Sequence, residues 1–218
     1  MMPGPVHTLA IDPLTPRPEV IDEAVDTLLD GGVIVYPTDT LYGLGCDATN
    51  PRAVERLCSV KGRPPTEPLP IIVHHRKVLT HLVHGTGEPL EALMNRFWPG
   101  GLTLILRRRG AVLGAIAPPE TLGVRIPDSP VALMLARRLH RPIVSTSANL
   151  TGRPAPVAAE DLDIALAKRI DLVLDAGRLP SGKPSTLLDL SGERPMILRE
   201  GAISRALLAR YLPEIEAP

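Results

Sequence analysis

From Pro18 onward, apolar residues recur at helical spacing: Val20, Ile21, Ala24, Val25, Leu28 and Leu29, with Gly31 as the stop. The β-branched run at 33–36, set between glycines and Pro37, reads as a buried strand fed by that helix. Asn50-Pro51 then offers a helix N-cap with proline at the first helical position. Val54, Leu57 and Cys58 form the apolar stripe, which runs out into Lys61-Gly62-Arg63-Pro64. Beyond this lie an apolar run at 69–73 and a helix at about 89–98, with Leu90, Leu93, Met94 and Phe97 on one face and Pro99-Gly100-Gly101 as its stop. A strand at 102–106 and a shorter one at 123–127 follow. Asp128-Ser129-Pro130 caps a helix striped by Val131, Met134, Leu135 and Leu139. The rest reads as a strand at 143–145, a helix at 159–168, strands at 172–175, 185–190 and 197–199, and a helix at 204–212. Strands and helices alternate, with a few strands adjacent. The predicted class is therefore α/β, three layers built on a twisted mixed β-sheet with flanking helices.

Composition narrows this picture. At 218 residues the chain suits one buried core, divided here into a lead-in at 1–16, a domain at 17–212 and a tail at 213–218. Aromatics make up only 2%, so aliphatic residues must build the core. The 24 basic and 24 acidic residues cancel, which gives no bulk drive toward nucleic acid or anionic membrane. Two cysteines, Cys46 and Cys58, make neither a disulfide framework nor a zinc site. His74, His75, His81 and His84 bunch together, but no carboxylate or thiol joins them at ligand spacing, so no metal site is expected. The N-terminus lacks a cationic start with an apolar core, and no segment reaches the ~20 apolar residues of a membrane span. The expectation is a soluble, cytoplasmic protein.

Candidate chemistry gathers where strands hand over to loops, the usual ligand position in open α/β sheets. Thr38, Asp39 and Thr40 follow the first strand, with Tyr42-Gly43-Leu44-Gly45 behind them. Lys61 and Arg63 sit on a glycine-loosened turn suited to an anion. Val124 and Ile126 share one strand face, so Arg125 points to the other. A salt bridge to an acid and bidentate capture of a small carboxylate fit Arg125 equally well. At a second junction, Ser145, Thr146, Ser147 and Asn149 can serve either a capped turn or phosphate and ribose. Arg107, Arg108 and Arg109 read as a charged hairpin tip, with phosphate or RNA binding as the other reading. Gly177 and Gly182-Lys183 fall at the spacing of a phosphate-binding P-loop, but Pro184 replaces the metal-binding hydroxyl and a strand follows where a helix is needed, so that motif is rejected.

The run PTDTLYGLG, the Lys61-x-Arg63 pair, and the later GVRIP, STSANLTGRP and PST segments, in this order over about 30–201, resemble the Sua5/YrdC/YciO/YwlC (TsaC) family of threonylcarbamoyl-AMP synthases. The resemblance implies a YrdC-like fold in which a single open sheet curves about a deep, positively lined cleft. It implies a nucleotidyltransferase that makes L-threonylcarbamoyladenylate and pyrophosphate from L-threonine, bicarbonate or CO2, and ATP with Mg²⁺. Downstream tRNA threonylcarbamoyl-transfer proteins would then complete the modification of adenosine 37. Carried over residue by residue, Thr38, Arg125, Ser145 and Ser185 would hold L-threonine, while Lys61, Arg63, Thr121, Ser147, Asn149 and Arg199 would hold ATP. Lys61 and Arg63 would also stabilise the charge that develops during the reaction. Some relatives place a histidine against threonine, and His74 falls about two positions late for that role. Longer relatives carry a second domain. Members of the family have also been proposed as double-stranded RNA or ribosome-associated binding proteins. Here weak RNA binding would use Arg63 with Arg107, Arg108 and Arg109; neutral net charge and few aromatics argue against it. A carbamoyl-transferring relative of metal-centre maturation is a third reading, but such chains carry acyl-phosphatase and zinc-finger parts not found in this sequence.

Overall fold

The structure is a computed structural model that describes residues 6–85, 87–110, 113, 116 and 120–215, so 1–5 of the expected lead-in and 216–218 of the expected tail lie outside the described residues. The elements begin with β1 (His7–Ala10), α1 (Pro18–Leu29), β2 (Ile34–Tyr36), β3 (Gly43–Gly45), α2 (Pro51–Lys61) and β4 (Ile71–Ile72). There follow α3 (Leu79–Leu82), α4 (Leu90–Phe97), β5 (Leu102–Arg107), β6 (Thr121–Arg125), α5 (Pro130–Leu139), β7 (Ile143–Val144) and β8 (Thr146–Ser147). The chain closes with α6 (Ile164–Ala167), β9 (Leu172–Asp175), β10 (Thr186–Asp189), β11 (Met196–Arg199) and α7 (Arg205–Leu208).

Helix ends follow the local chemistry. The Asn50 side chain accepts from the N–H groups of Arg52 and Ala53, and Gly62 ends α2 at φ 65, a left-handed conformation that glycine adopts freely. Ser129 Oγ accepts from Ala132 N and donates to Pro37 O, so the cap of α5 is tied to the end of β2. Two of the expected helices are shorter than their apolar patterns. The region 159–168 divides into a 3-10 turn, Ala159–Asp161, and the single turn of α6, while α7 covers only the start of 204–212.

The strands divide between two mixed sheets, ordered β1-β9-β2-β3-β8 and β11-β10-β5-β6-β4-β7. This corrects the expectation of a single open sheet. The division runs through the segment at 143–147, which reads as one strand plus a loop. Its first half pairs antiparallel with β4, its second half with β3, and Ser145 lies between them. Ser145 N donates to Pro70 O, and Val144 N donates to Cys46 O, so the two sheets stay hydrogen-bonded across the seam.

Alternation along β2 separates two cores. Ile34 and Tyr36 face α1 and α5 with Ile21, Leu28 and Leu135, whereas Val33 and Val35 belong to the larger cluster with Leu57, Leu93 and Leu104. All of these side chains are buried. That pair of cores gives the three layers. Among the described residues, no helix is long and apolar enough to cross a membrane.

Candidate active site

A cavity of about 350 Å³ opens where the two sheets meet. Its floor is one face of the six-stranded sheet. Thr103 and Ile105 on β5, Thr121, Gly123 and Arg125 on β6, and Leu187 and Asp189 on β10 all line it, which is the every-second-residue pattern of a single sheet face. Thr38, Thr40 and the loop after β2 form one wall, Ser145 and Ser147 another, and Ser185, Arg199 and Arg63 the rim.

Of the residues proposed from sequence, Thr38, Arg63, Thr121, Arg125, Ser145, Ser147, Ser185 and Arg199 line this one cavity. Segments remote in sequence therefore converge. Arg125 is 7% exposed and held on three sides: Nε donates to Gly100 O at 2.9 Å, Nη1 to Thr40 Oγ1 at 3.0 Å and Nη2 to Asp39 Oδ1 at 2.5 Å. Arg199 donates through Nε and Nη2 to Ser185 O at 3.2 and 3.0 Å, and Ser185 Oγ accepts from Thr103 Oγ1 at 2.9 Å. Arg63 pairs with Glu67, four residues on in the loop after α2, at 2.8 Å, and donates through Nη2 to Pro68 O. Ser145 Oγ accepts from Tyr36 OH at 2.9 Å, so a fully buried tyrosine sets its position.

Lys61 and Asn149 do not line the cavity; they stand directly behind Ser147. Lys61 Nζ donates to Ser147 O at 2.7 Å, Asn149 O at 3.0 Å and Asn149 Oδ1 at 3.3 Å. The Asn149 amide donates to Leu150 O and Arg153 O, and its Oδ1 accepts from Ser147 Oγ at 2.5 Å. Both ends of that carboxamide are thus engaged in shaping the loop. Thr38 also differs from the expectation of a free hydroxyl contact. Its Oγ1 donates to Leu41 O at 2.7 Å and accepts from the N–H groups of Thr40 and Leu41, the bonding of a local hydroxyl turn. Thr38 shapes the wall. His74 is not among the lining residues.

The electrostatics are those of crowded cations. Burial, then Arg63 and Arg199, push the Lys61 ammonium down to about 8. Burial, then Arg125, lowers the proton affinity of Arg199. The arginine run 107–109 takes no part. Arg108 is buried and donates to Leu113 O and Ile116 O, Arg107 donates to Ser191 O, and Arg109 to Val83 O. Only Arg108 is withdrawn from the surface, while Arg107 and Arg109 stay exposed, so the run is not the three-arginine hairpin tip expected from sequence.

Sequence reasoning passed over Tyr36, Thr103, Asp189 and the apolar residues Ile105, Leu187 and Leu198, all of which touch the site or its groups. The signal for most of them was parity: once Arg125 fixes the open face of β6, the odd-numbered residues of its neighbours follow by register.

The family profile described as "Telomere recombination", of the Sua5/YciO/YrdC proteins, matches residues 26–201. The chain is 38% identical over 196 residues to a threonylcarbamoyl-AMP synthase of Bacillus subtilis, an alignment that takes in 89% of this chain and 57% of that protein. Among solved structures, Pyrococcus abyssi Sua5 complexed with L-threonine superposes with a TM-score of 0.89 at 32% identity, covering 97% of this chain and 62% of that one. Escherichia coli YciO superposes with a TM-score of 0.82 at 30% identity, covering 91% of this chain and 97% of that one. The chain therefore spans little more than half the length of the Bacillus relative.

Proposed function

The chain belongs to the Sua5/YciO/YrdC family, and from that premise we propose that it is a threonylcarbamoyl-AMP synthase, a nucleotidyltransferase joining L-threonine, bicarbonate or CO2, and ATP. One observation supports this above the others: Arg63, Arg125 and Arg199 open into the same cavity as Ser145, Ser147 and Ser185. An amino acid and a nucleotide phosphate chain can lie side by side there.

In this reading the threonine carboxylate takes the Arg125 guanidinium, with Ser145 and Ser185 beside it and Thr38 shaping the wall. The phosphates lie along Arg63 and Arg199, with Ser147 and Thr121 at the nucleotide end. Lys61 adds its charge from behind Ser147, whose carbonyl and loop it fixes together with Asn149. Addition of CO2 to the neutral threonine amine forms the C–N bond and releases one proton to solvent, giving a carbamate that is already an anionic nucleophile, so the next step needs no strong general base. Its oxygen attacks the α-phosphorus in line and pyrophosphate departs. Holding the two reactants in contact is itself a large rate factor. Charge grows on the phosphoryl oxygens and on pyrophosphate, where the cations are already aimed without reorganisation.

Mg²⁺ belongs to this scheme as part of the ATP substrate. Among the described residues no group of three His, Cys, Asp or Glu is placed to hold a metal ion. Asp189, the carboxylate that lines the cavity, accepts from Ser191, and Asp39, outside the lining, is bound to Arg125. The product would pass to proteins that place threonylcarbamoyl on tRNA. The test is pyrophosphate release from ATP, measured with threonine and bicarbonate each omitted in turn. Release that needs both is expected; release indifferent to either, or none from folded protein, would overturn the assignment.

A further inference from the structure

The guanidinium that this reading gives to the substrate carboxylate already holds a carboxylate of the chain itself. Asp39 Oδ1 lies 2.5 Å from Arg125 Nη2, and Thr40 Oγ1 accepts from Nη1 at 3.0 Å. Nε is committed to Gly100 O. Bidentate capture needs two parallel N–H groups on one edge of the fork, and Asp39, though not itself among the residues lining the cavity, occupies the Nη2 donor. The side chains of the pair are only 9% and 16% exposed, so Asp39 cannot give up Arg125 without another partner. Its neighbours are fixed. Thr38 is locked by its own turn and Thr40 is buried, which leaves the Asp39 side chain as the one acceptor of this turn that a rotation can carry away from Arg125.

We infer that Asp39 is a stand-in for the substrate carboxylate and a determinant of amino-acid specificity. When the carboxylate of threonine takes Arg125, Asp39 turns to the adjacent amino nitrogen, so that ion pairs are exchanged and none is lost. The inference rests on the threonine reading of the Arg125 end of the cavity. It adds a selection rule: a carboxylic acid without an α-amino group displaces Asp39 and offers it nothing in return. For CO2 to add, the ammonium first gives up one proton and formation of the C–N bond releases a second, both to solvent; the carbamate nitrogen then still carries one N–H for Asp39 to accept.

The experiment is calorimetric titration of L-threonine and of 3-hydroxybutyrate, the same skeleton without the amine, into the wild-type chain, Asp39→Asn and Thr40→Val. Asp39→Asn is expected to weaken L-threonine by about tenfold or more, the order expected for one charge-assisted hydrogen bond, and to leave 3-hydroxybutyrate unchanged or tighter. Thr40→Val, which disturbs Arg125 without touching the exchange, weakens both together. Asp39→Ser removes the same charge should the asparagine variant fail to fold. Equal weakening of both ligands by Asp39→Asn would mean that Asp39 only holds Arg125 in place, and no change in either would mean that it does not move; both results overturn the exchange. Wild-type protein that binds no L-threonine would instead remove the functional reading beneath it, a failure that the pyrophosphate assay reports separately.

Discussion

Lys61 permits the sharpest quantitative test, because its burial and its charge act in opposite directions on stability. The ammonium is 5% exposed, and its proton affinity falls from 10.5 to about 8. At about 1.4 kcal/mol per unit, this is a destabilisation of roughly 3 kcal/mol carried by the charged form in the folded state. Below about pH 8 the lysine is protonated in both the folded and unfolded chain, and the destabilisation is present in full. Between about 8 and 10.5 the unfolded chain holds more protons than the folded one, so stability rises with pH through this window. Lys61→Met removes the titrating group and its bonds to Ser147 O and Asn149 O, each worth about 1.5–3 kcal/mol when made to a charged donor. At pH 7 the lost bonds offset the relieved desolvation or outweigh it. Urea unfolding at pH 7 and pH 10 should then show the wild type gaining roughly 2.5 kcal/mol over the variant. A difference between the two proteins that stays constant across that range would refute the argument, since it would mean that Lys61 is not desolvated where the structure puts it.

Arg125→Ala should raise the threonine requirement of pyrophosphate release far more than the ATP requirement, while Lys61→Met chiefly impairs ATP use; steady-state kinetics with each substrate varied separates the two, and identical effects would contradict the division of the cavity. Tyr36→Phe removes the donor to Ser145 Oγ without changing the packing of the ring, so it should cost about 1 kcal/mol in urea unfolding and raise KM for threonine with little change in kcat. Gly45→Ala would place a Cβ 2.7 Å from Val144 O and 2.8 Å from Tyr36 Cε1, at the seam between the sheets. Thermal unfolding should show a loss of about 1–3 kcal/mol or more, the range for overpacking.

What the sequence could and could not convey follows from the range of the interactions involved. Strand β9 matches its expected span, since β-branched and apolar residues flanked by polar ones need only local information. The caps of α2 and α5 were legible for the same reason. The outward turn of Arg125 followed from parity alone, but its two readings did not separate, because Asp39 lies 86 residues away in sequence and nothing local pairs them. The split into two sheets was hidden in 143–147, where five extended residues change hydrogen-bond partners at Ser145 without any break in composition. Arg108 misled because a row of charges reads as solvated, and only the fold brings the carbonyls of Leu113 and Ile116 around it.

The four cations of the site fall into two kinds, and the division only partly follows the two substrates of the proposed reaction. Arg63 and Arg125 each have an acidic partner, Glu67 and Asp39. Lys61 and Arg199 have, among the described residues, only neutral acceptors around Ser147, Asn149 and Ser185. These last two are also the ones whose hold on the proton is weakened, by burial first and by their fellow cations after it. A cation held by carbonyls keeps its charge for an incoming anion, and the repulsion it shares with its neighbours is relieved when that anion arrives. On the proposed function, phosphates meet unbalanced charge at Lys61 and Arg199, whereas at Arg63 they share the guanidinium with Glu67. A carboxylate entering at Arg125 meets a charge that is already balanced and can gain only by exchange. If the proposed reaction is the right one, the Lys61 and Arg199 end should take a polyphosphate with little discrimination while the Arg125 end admits a carboxylate selectively, the order of discrimination suited to a common nucleotide and an amino acid that must be told apart from similar small acids.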